Sequence, residues 1–410
     1  MADKPRALHA KHAAGRTKVI TVLVVAAVLA AGGATLAYAL SSSSFGSSSL
    51  LGAAPTTTTT IPLSLSVEPP DGSSGVTPDT IVSVTAMTGR INGVTVAGGD
   101  GKTVAGSVAP GGTSWRATGG LALKTDYTVT IDANMPSGKP TEQVTHFKSL
   151  VPTATLGVAL APATGLTVGV AQPIVLRFDH AVVNKDALLA LLQVSATPAV
   201  VGGWHWFSAR ELHFRPKDYW PTGQKVTLTA NLDGFNAGNG VWGATTASTT
   251  FTVGDKHIST VNVVTHEMTV TNNGALIATY PISAGRTKYP TMGGIHIDLY
   301  RQQDVHMVSA SVGIPVNSPD GYDEHVFSNV NISDGGEFVH AAPWSTGAQG
   351  NSNVSHGCVN LSPANAQTFF NFSRIGDVIE VVGSPRAPDL GDHGTMDWNT
   401  PWSSWTPATA

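Results

Sequence analysis

The sequence predicts a mainly β protein in which two tandem immunoglobulin-like β-sandwiches precede a third, β-rich domain with one main helix. Charged residues make up 12% of the 410 residues, about half the share found in an average soluble domain. The chain also contains 44 glycines together with abundant Thr, Ser, Val and Ala, a composition typical of short strands joined by turns. Its length is sufficient for several domains, each with its own core.

The N-terminus predicts a membrane-targeting segment. Residues 1–18 form a basic cytoplasmic segment, and the mainly apolar run 19–40 follows. About 20 apolar residues at 1.5 Å each span a hydrocarbon core of about 30 Å, so we predict a transmembrane anchor with the basic flank inside. A cleaved signal sequence is the alternative, because Ala37-Tyr38-Ala39 resembles a cleavage site. In both cases the rest of the chain is placed in the cell envelope or secreted.

Two similar β units are predicted after a linker. Residues 41–62 are rich in Ser and Thr and cannot form a core. Apolar and polar residues alternate with a period of two in residues 127–133, and the pattern recurs in residues 226–232. This repeat predicts one immunoglobulin-like domain at 63–152 and a second at 153–254.

The third domain is predicted at residues 255–383 and begins with a β-hairpin. Residues 268–277 form two strand-like runs around Asn273 and Gly274. Asn-Gly favours a tight hairpin turn because both central residues need a positive φ.

The main helix of this domain is predicted after Ser362. Ser362 is a good N-cap, Pro363 suits the first helical position, and residues 364–371 continue the helix. Residues 378–382 then predict a strand.

The C-terminal tail, residues 384–410, carries Trp398, Trp402 and Trp405. Their spacings of four and three predict that they share one helical face. We interpret the tail as packing on the body of the protein, with carbohydrate stacking as the alternative.

Cys358 is the one cysteine of the chain. In an oxidising compartment thiols are normally paired. A lone thiol flanked by Ser355, His356, Gly357 and Asn360 therefore indicates a nucleophile.

Two histidines are candidates for the base that activates this thiol, which must ionise to react. His356 lies two residues away and shares a face with Cys358 on an extended stretch, whereas His340 ends a predicted strand. Spacing leaves both open. A metal site formed by these three residues lacks a clear fourth ligand, so we predict no metal.

Gly357 has a predicted role beside the nucleophile. It allows close approach of a substrate and frees the backbone N–H groups of Gly357 and Cys358 for an oxyanion, an interaction worth about 3–4 kcal/mol per donor. A tight turn alone would also explain this glycine. Asn360 is predicted to hold the loop.

The run from Ser355 to Asn360, with His340 seventeen residues before Gly357, resembles the signature of the L,D-transpeptidases with a YkuD-type catalytic domain. The similarity extends to residues 315–322, 340–344 and 362–366. The order of anchor, two immunoglobulin-like domains, catalytic domain and Trp-rich tail resembles the multi-domain mycobacterial type.

The resemblance implies that Cys358 is the nucleophile and His340 its base, and that His356 shapes the site. The family commonly has Ser after the catalytic His, where this chain has Ala341, whose backbone carbonyl can still orient the imidazole. The supporting and oxyanion residues are then Gly357, His356, Ser355, Asn360 and Ala341.

The resemblance also implies three substrate-binding residues. Tyr322 matches a tyrosine on the oxyanion side of the pocket, Met307 matches a pocket methionine, and Trp344 completes the set. A second pocket tyrosine is replaced by Val312, which affects substrate or inhibitor preference.

The implied reaction joins two peptidoglycan stem tetrapeptides by a 3→3 cross-link. It proceeds through a Cys thioester with release of D-Ala, needs no cofactor, and is inhibited by carbapenem β-lactams. An L,D-carboxypeptidase that uses water as acceptor and a non-catalytic cell-wall spacer are the alternatives. The net charge of −4 gives no electrostatic reason to expect a nucleic acid as partner.

Overall fold

The computed structural model describes residues 61–409. The predicted segments 1–18 and 19–40, and nearly all of the linker 41–62, lie outside the described residues, so the membrane anchor remains a prediction. Between residues 61 and 409, no helix is both long enough and apolar enough to cross a membrane. The mainly β fold class is confirmed.

The first sandwich pairs two mainly antiparallel sheets that enclose Trp115, Tyr127 and Phe147. Its strands are β1 (Ser64–Glu68), β2 (Ser73–Val76), β3 (Ser83–Thr88), β4 (Arg90–Gly98), β5 (Thr103–Val104), β6 (Gly106–Val108), β7 (Ser114–Ala117), β8 (Asp126–Asn134) and β9 (Pro140–Ser149). The sheet orders are β1-β3-β7-β6 and β2-β9-β8-β4-β5. The alternating pattern at 127–133 falls in β8, where Val129 and Ile131 point into the core.

The second sandwich has a larger core around Trp204, Phe214 and Trp220. It contains β10 (Ala154–Thr155), β11 (Val158–Ala161), β12 (Thr167–Val168), β13 (Ile174–Phe178), helix α1 (Lys185–Leu189), β14 (Leu192–Ala196), β15 (Val201–Trp206), β16 (Glu211–Pro216), β17 (Lys225–Asn231), β18 (Asn236–Gly238), β19 (Val241–Trp242) and β20 (Thr246–Val253). One main sheet runs β11-β13-β16-β15 and the other β12-β20-β17-β14.

The third domain is built on two sheets and one long helix. Its elements are β21 (His257–Asn262), β22 (Glu267–Asn272), β23 (Ala275–Pro281), β24 (Gly294–Ile297), β25 (Tyr300–Val308), β26 (Asp323–Asn331), β27 (Phe338–Ala341), β28 (Val359–Leu361), α2 (Pro363–Phe372) and β29 (Val378–Val382). The sheets run β23-β22-β21-β29-β24 and β25-β26-β27-β28. Helix α2 packs on β26 and β27 and buries Phe369 in the core between the sheets.

Local signals located three elements of this domain correctly. Asn273 and Gly274 have φ values of 50° and 86° and join β22 to β23. The Ser362 hydroxyl accepts a hydrogen bond from the backbone N–H of Asn365 and caps α2. The predicted strand 378–382 is β29.

The second sandwich and the third domain share one core. Ile297 and Val378 of the third domain belong to the same buried cluster as Trp220. The backbone N–H of Gly169 donates to Ile375 O at 2.7 Å. An added Cβ on Gly169 would lie only 2.2 Å from the backbone nitrogen of Asp377, so this close approach requires glycine.

The tail returns to the second sandwich. Helix α3 (Met396–Asn399) is followed by a short 3₁₀ helix (Trp402–Ser404) and strand β30 (Thr406–Thr409), which pairs antiparallel with β15.

The prediction of one helical face for the three tail tryptophans is wrong, because the helix ends at Asn399. The rings instead surround the Arg215 guanidinium, at 4.5, 5.0 and 4.7 Å from its central carbon, in cation–π contact.

Candidate active site

A cavity of about 270 Å³ in the third domain contains most of the predicted site residues. It is lined by Met307, Gly321, Tyr322, Glu324, Val326, His340, Trp344, Val354, Ser355, His356, Cys358 and Asn360. The predicted residues Gly357 and Ala341 lie outside this lining and act through their backbone. Val312 is 47% exposed in a 3₁₀ helix and does not line the cavity.

The parallel pairing of β27 with β28 places the nucleophile candidate beside a histidine. His340 lies opposite Asn360 in this ladder. Cys358 precedes Asn360 by two residues, and side chains two apart on an extended chain point to the same face. The thiol and the imidazole therefore face the same cavity although they are 18 residues apart in the sequence.

His340 is held in one orientation at the end of β27. Its Nδ1 donates to the backbone carbonyl of Ala341 at 2.9 Å, which leaves Nε2 as a proton acceptor. The side chain is buried, and burial lowers the pKa of His340 to about 4 despite that hydrogen bond. The imidazole is therefore neutral near pH 7.

The Cys358 thiol is protonated in the free protein. Burial raises its pKa to about 12, with the charge of Glu337 acting in the same direction. The thiol lies 3.8 Å from Gly336 O, to which it donates. The resting pair is thus a neutral thiol and a neutral imidazole.

His356 has other partners. Its Nε2 accepts a hydrogen bond from the Arg286 guanidinium at 2.8 Å, since a guanidinium can only donate. Its ring lies 5.1 Å from the rings of Tyr289 and Tyr322. Arg286 also pairs with Asp320 at 2.5 Å.

The turn from Ser355 to Cys358 is closed on itself. The Ser355 hydroxyl donates to Cys358 O at 2.6 Å and accepts from the Gly357 N–H at 3.1 Å. The Gly357 N–H, expected to be free for an oxyanion, is therefore occupied. The Cys358 N–H has no protein acceptor among residues 61–409, so it remains available at this turn.

Gly357 is required by the backbone. Its φ is +131°, and an added Cβ would lie 3.0 Å from Oε1 of Glu337. A side chain would be strained at this φ and would press on that buried carboxylate. Sequence reasoning attributed the glycine to substrate approach and did not find its neighbour Glu337, which lies 20 residues earlier.

Asn360 and Trp344 shape the floor and rim of the cavity. Asn360 donates to Ser345 Oγ at 3.0 Å, and its backbone N–H donates to Ser283 O at 2.9 Å. Trp344 is 54% exposed, with its ring 6.1 Å from that of His340.

The opposite wall comes from the hairpin of β25 and β26. Met307 and Glu324 are cross-strand partners in this hairpin. Tyr322, just before β26, is half-buried, and burial raises the pKa of its hydroxyl. Glu324 is a second residue that sequence reasoning missed, because nothing near it in the sequence carries a catalytic pattern.

No cluster of three His, Cys, Asp or Glu side chains in the described part of the chain could hold a metal ion.

Two stretches of the chain match known domain families. Residues 73–236 match the bacterial Ig domain, and residues 256–381 match the L,D-transpeptidase catalytic domain. The first match extends over parts of both sandwiches.

Two similar proteins come from Mycobacterium tuberculosis. L,D-transpeptidase 2 of strain CDC 1551 / Oshkosh is 38% identical over 83% of this chain and 83% of its own length. L,D-transpeptidase 5 of strain ATCC 25618 / H37Rv is 32% identical over 84% of this chain and 77% of its own length. A solved structure of an LD transpeptidase in complex with imipenem is 34% identical, covers 57% of this chain and all of that chain, and has a TM-score of 0.49. The chain belongs to the L,D-transpeptidase family.

Proposed function

We propose that this transpeptidase forms 3→3 cross-links between peptidoglycan stem tetrapeptides through a thioester on Cys358. The observation that carries the proposal is that Cys358, just before β28, and His340, on β27, line the same cavity, with His340 held in a single tautomer. That tautomer presents an unprotonated nitrogen to the cavity.

In the first step, Cys358 attacks the carbonyl that links the third residue of the donor stem to its terminal D-Ala. The thiol proton moves to Nε2 of His340 as the S–C bond forms, because neither group is ionised at rest. The C–N bond then breaks, the leaving amine takes the proton from His340, and a thioester remains.

Hydrogen-bond donors must stabilise the negative charge on the oxygen of the tetrahedral intermediate. The Cys358 N–H is available, and the Tyr322 hydroxyl lines the same cavity. Removing one such donor typically slows acyl transfer by about 100- to 1,000-fold.

In the second step, the neutral side-chain amine of an acceptor stem attacks the thioester carbonyl and gives a proton to Nε2 of His340. The C–S bond then breaks, the Cys358 sulfur takes that proton back, and an amide cross-link remains.

Glu324 carries the one carboxylate among the lining residues of the described chain, and none of those residues carries an ammonium or guanidinium group. Asp320 nearby is already paired with Arg286 and Lys288. A carboxylate on the cavity wall attracts a cationic side chain more strongly than neutral water, which favours transpeptidation over the alternative L,D-carboxypeptidase.

The proposed reaction also suggests a role for each of the other segments of the chain. We propose that residues 63–152 act as a spacer, that 153–254 supports the catalytic domain 255–383, and that 384–410 docks on the body. The segment 19–40 would hold the protein at the membrane with its catalytic domain facing the wall. Carbapenems carry a strained amide carbonyl that Cys358 would attack in the same manner.

Mass spectrometry of the full chain with disaccharide-tetrapeptide tests the proposal. We expect a cross-linked dimer and free D-Ala, and neither product with Cys358→Ala. D-Ala release with tripeptide alone would assign a carboxypeptidase. No reaction and no carbapenem adduct would leave only a spacer role.

The role of Glu324 is tested in the same assay. Glu324→Gln should keep D-Ala release and lower the ratio of dimer to tripeptide about tenfold, the effect of about 1.4 kcal/mol on acceptor binding. Glu267→Gln, on the exposed side of β22, is the matched control. An unchanged ratio in Glu324→Gln would remove Glu324 from acceptor selection.

A further inference from the structure

An ion pair between a half-exposed arginine and a buried carboxylate joins the C-terminal tail to the nucleophile turn, defined as Ser355 to Cys358. Glu337 is 5% exposed, and its Oε1 pairs with the Arg386 guanidinium at 2.5 Å. Its other oxygen, Oε2, accepts from the backbone N–H of Met292 at 3.2 Å. Arg386 belongs to the tail, whereas Glu337 immediately precedes β27, which carries His340.

Glu337 lies directly under the turn. Its Oε1 is the nearest heavy atom that a side chain on Gly357 would meet, at 3.0 Å. The charge of Glu337 also acts on the Cys358 thiol and raises its pKa. An unpaired carboxylate here would oppose thiolate formation, and the Arg386 cation offsets it.

The segment Thr291–Met292 connects the same parts. The Thr291 hydroxyl donates to Gly357 O at 2.7 Å and accepts from the Gly285 N–H at 2.8 Å. Ser384 of the tail donates to Thr291 O. The tail therefore contacts both Glu337 and Thr291, the two residues that lie against the nucleophile turn.

A second tail contact reaches the loop whose carbonyl accepts the hydrogen bond of the Cys358 thiol. Asp392 accepts from Ser333 Oγ at 2.5 Å and from the Gly335 N–H at 3.2 Å. Gly336, the next residue, supplies the carbonyl to which Cys358 donates.

We propose that Arg386, through its ion pair with Glu337, is a positioning residue that lets Cys358 react, so that the tail completes the active site. The proposal goes beyond the proposed reaction and does not depend on which acceptor resolves the thioester. The charged or titratable groups around the thiol are His340, Glu337 and Tyr322, and those around Glu337 are Arg386 and Asp392.

The experiment uses iodoacetamide, which reports on the thiol whether or not the chain is a transpeptidase. Because Cys358 is the one cysteine of the chain, mass spectrometry of its peptide gives the alkylation rate between pH 7 and 10.5. Arg386→Gln should move the rate profile to higher pH and slow alkylation about tenfold at a fixed pH, as expected when the thiolate fraction falls tenfold. Arg386→Lys, which keeps the charge, should restore most of the rate.

Two further variants control for folding and for general loss of charge. Glu337→Gln with Arg386→Gln removes both charges and should return the profile to that of the wild type, even if Arg386→Gln alone folds poorly. Arg90→Gln, in the first sandwich, should leave it unchanged. A wild-type profile in Arg386→Gln, or slowing that persists in Arg386→Lys and in the double variant, would overturn the proposal.

Discussion

The two junctions between neighbouring domains are built in opposite ways. Between the sandwiches lies a cavity of about 410 Å³, lined by Pro78 and Tyr127 on one side and by Asp233 and Gly234 on the other. Between the second sandwich and the catalytic domain there is a continuous apolar core that includes Ile297.

This difference separates the chain into a spacer and a working unit. The core of the first sandwich contains residues of that domain alone. The second sandwich shares its core with the catalytic domain and its sheet with β30 of the tail. Loss of the first sandwich should therefore leave the active site intact, whereas damage to the second should reach Cys358.

Truncation before Ser384 should have the largest effect. It removes β30, the buried Trp405 and the Glu337 partner Arg386. We expect a loss on the order of 5 kcal/mol in the free energy of unfolding of the working unit and a large loss of Cys358 acylation. Calorimetry measures the first and carbapenem adduct formation the second. Unchanged thermal stability would show that the tail does not stabilise that unit.

A pair of tryptophan substitutions compares the two cores directly. Trp220→Ala and Trp115→Ala each remove a ring that is at most 3% exposed and should each cost about 3–5 kcal/mol. Only Trp220→Ala should lower the temperature at which Cys358 loses its reactivity, measured by alkylation during a thermal ramp. Equal loss in both variants would mean that the first sandwich also supports the site.

Asp298 makes the stability of the second junction depend on pH. It is fully buried, and burial together with Asp377 raises its pKa from 3.8 to about 7. The folded state then binds the proton more tightly than the unfolded state, so stability falls as pH rises from about 4 through 7.

Asp298→Asn should therefore raise the melting temperature at pH 8 and have little effect near pH 4. At pH 8 the free energy of unfolding should rise by at most about 4 kcal/mol, the amount that corresponds to the rise in the Asp298 pKa. Thermal unfolding of both proteins across this range measures it, with the exposed Asp132→Asn in the first sandwich as control. A gain that is the same at pH 4 and pH 8 would contradict the assignment.

The smallest effect is expected at Arg215. Arg215→Met removes the cation inside the three tail tryptophans and the hydrogen bond to Asp397 O at 2.9 Å, at a cost of about 2 kcal/mol. The exposed Arg116→Met in the first sandwich is the matched control and should change little. Chemical unfolding, followed by tryptophan fluorescence, measures the free energy of unfolding of both variants. Equal small losses of this free energy would show that the cation does not stabilise the tryptophan cluster.

Several turns, caps and strands could be predicted from the sequence because they depend on residues that are close together along the chain. The Asn273-Gly274 turn, the Ser362 cap and the alternation in β8 each depend on neighbouring residues. The arrangement of the tail tryptophans was predicted wrongly because it has no local cause. Their partner Arg215 lies far away in the sequence.

The sequence by itself determined the mainly β class and singled out Cys358, the segment around it, and the two candidate histidines. Only the tertiary structure decided that His356 is engaged by Arg286, that the Gly357 N–H is occupied, and that Glu337 and Arg386 lie beneath the nucleophile. The physical reason is distance along the chain. A turn or cap is set by residues a few positions apart, whereas these contacts join segments that only folding brings together.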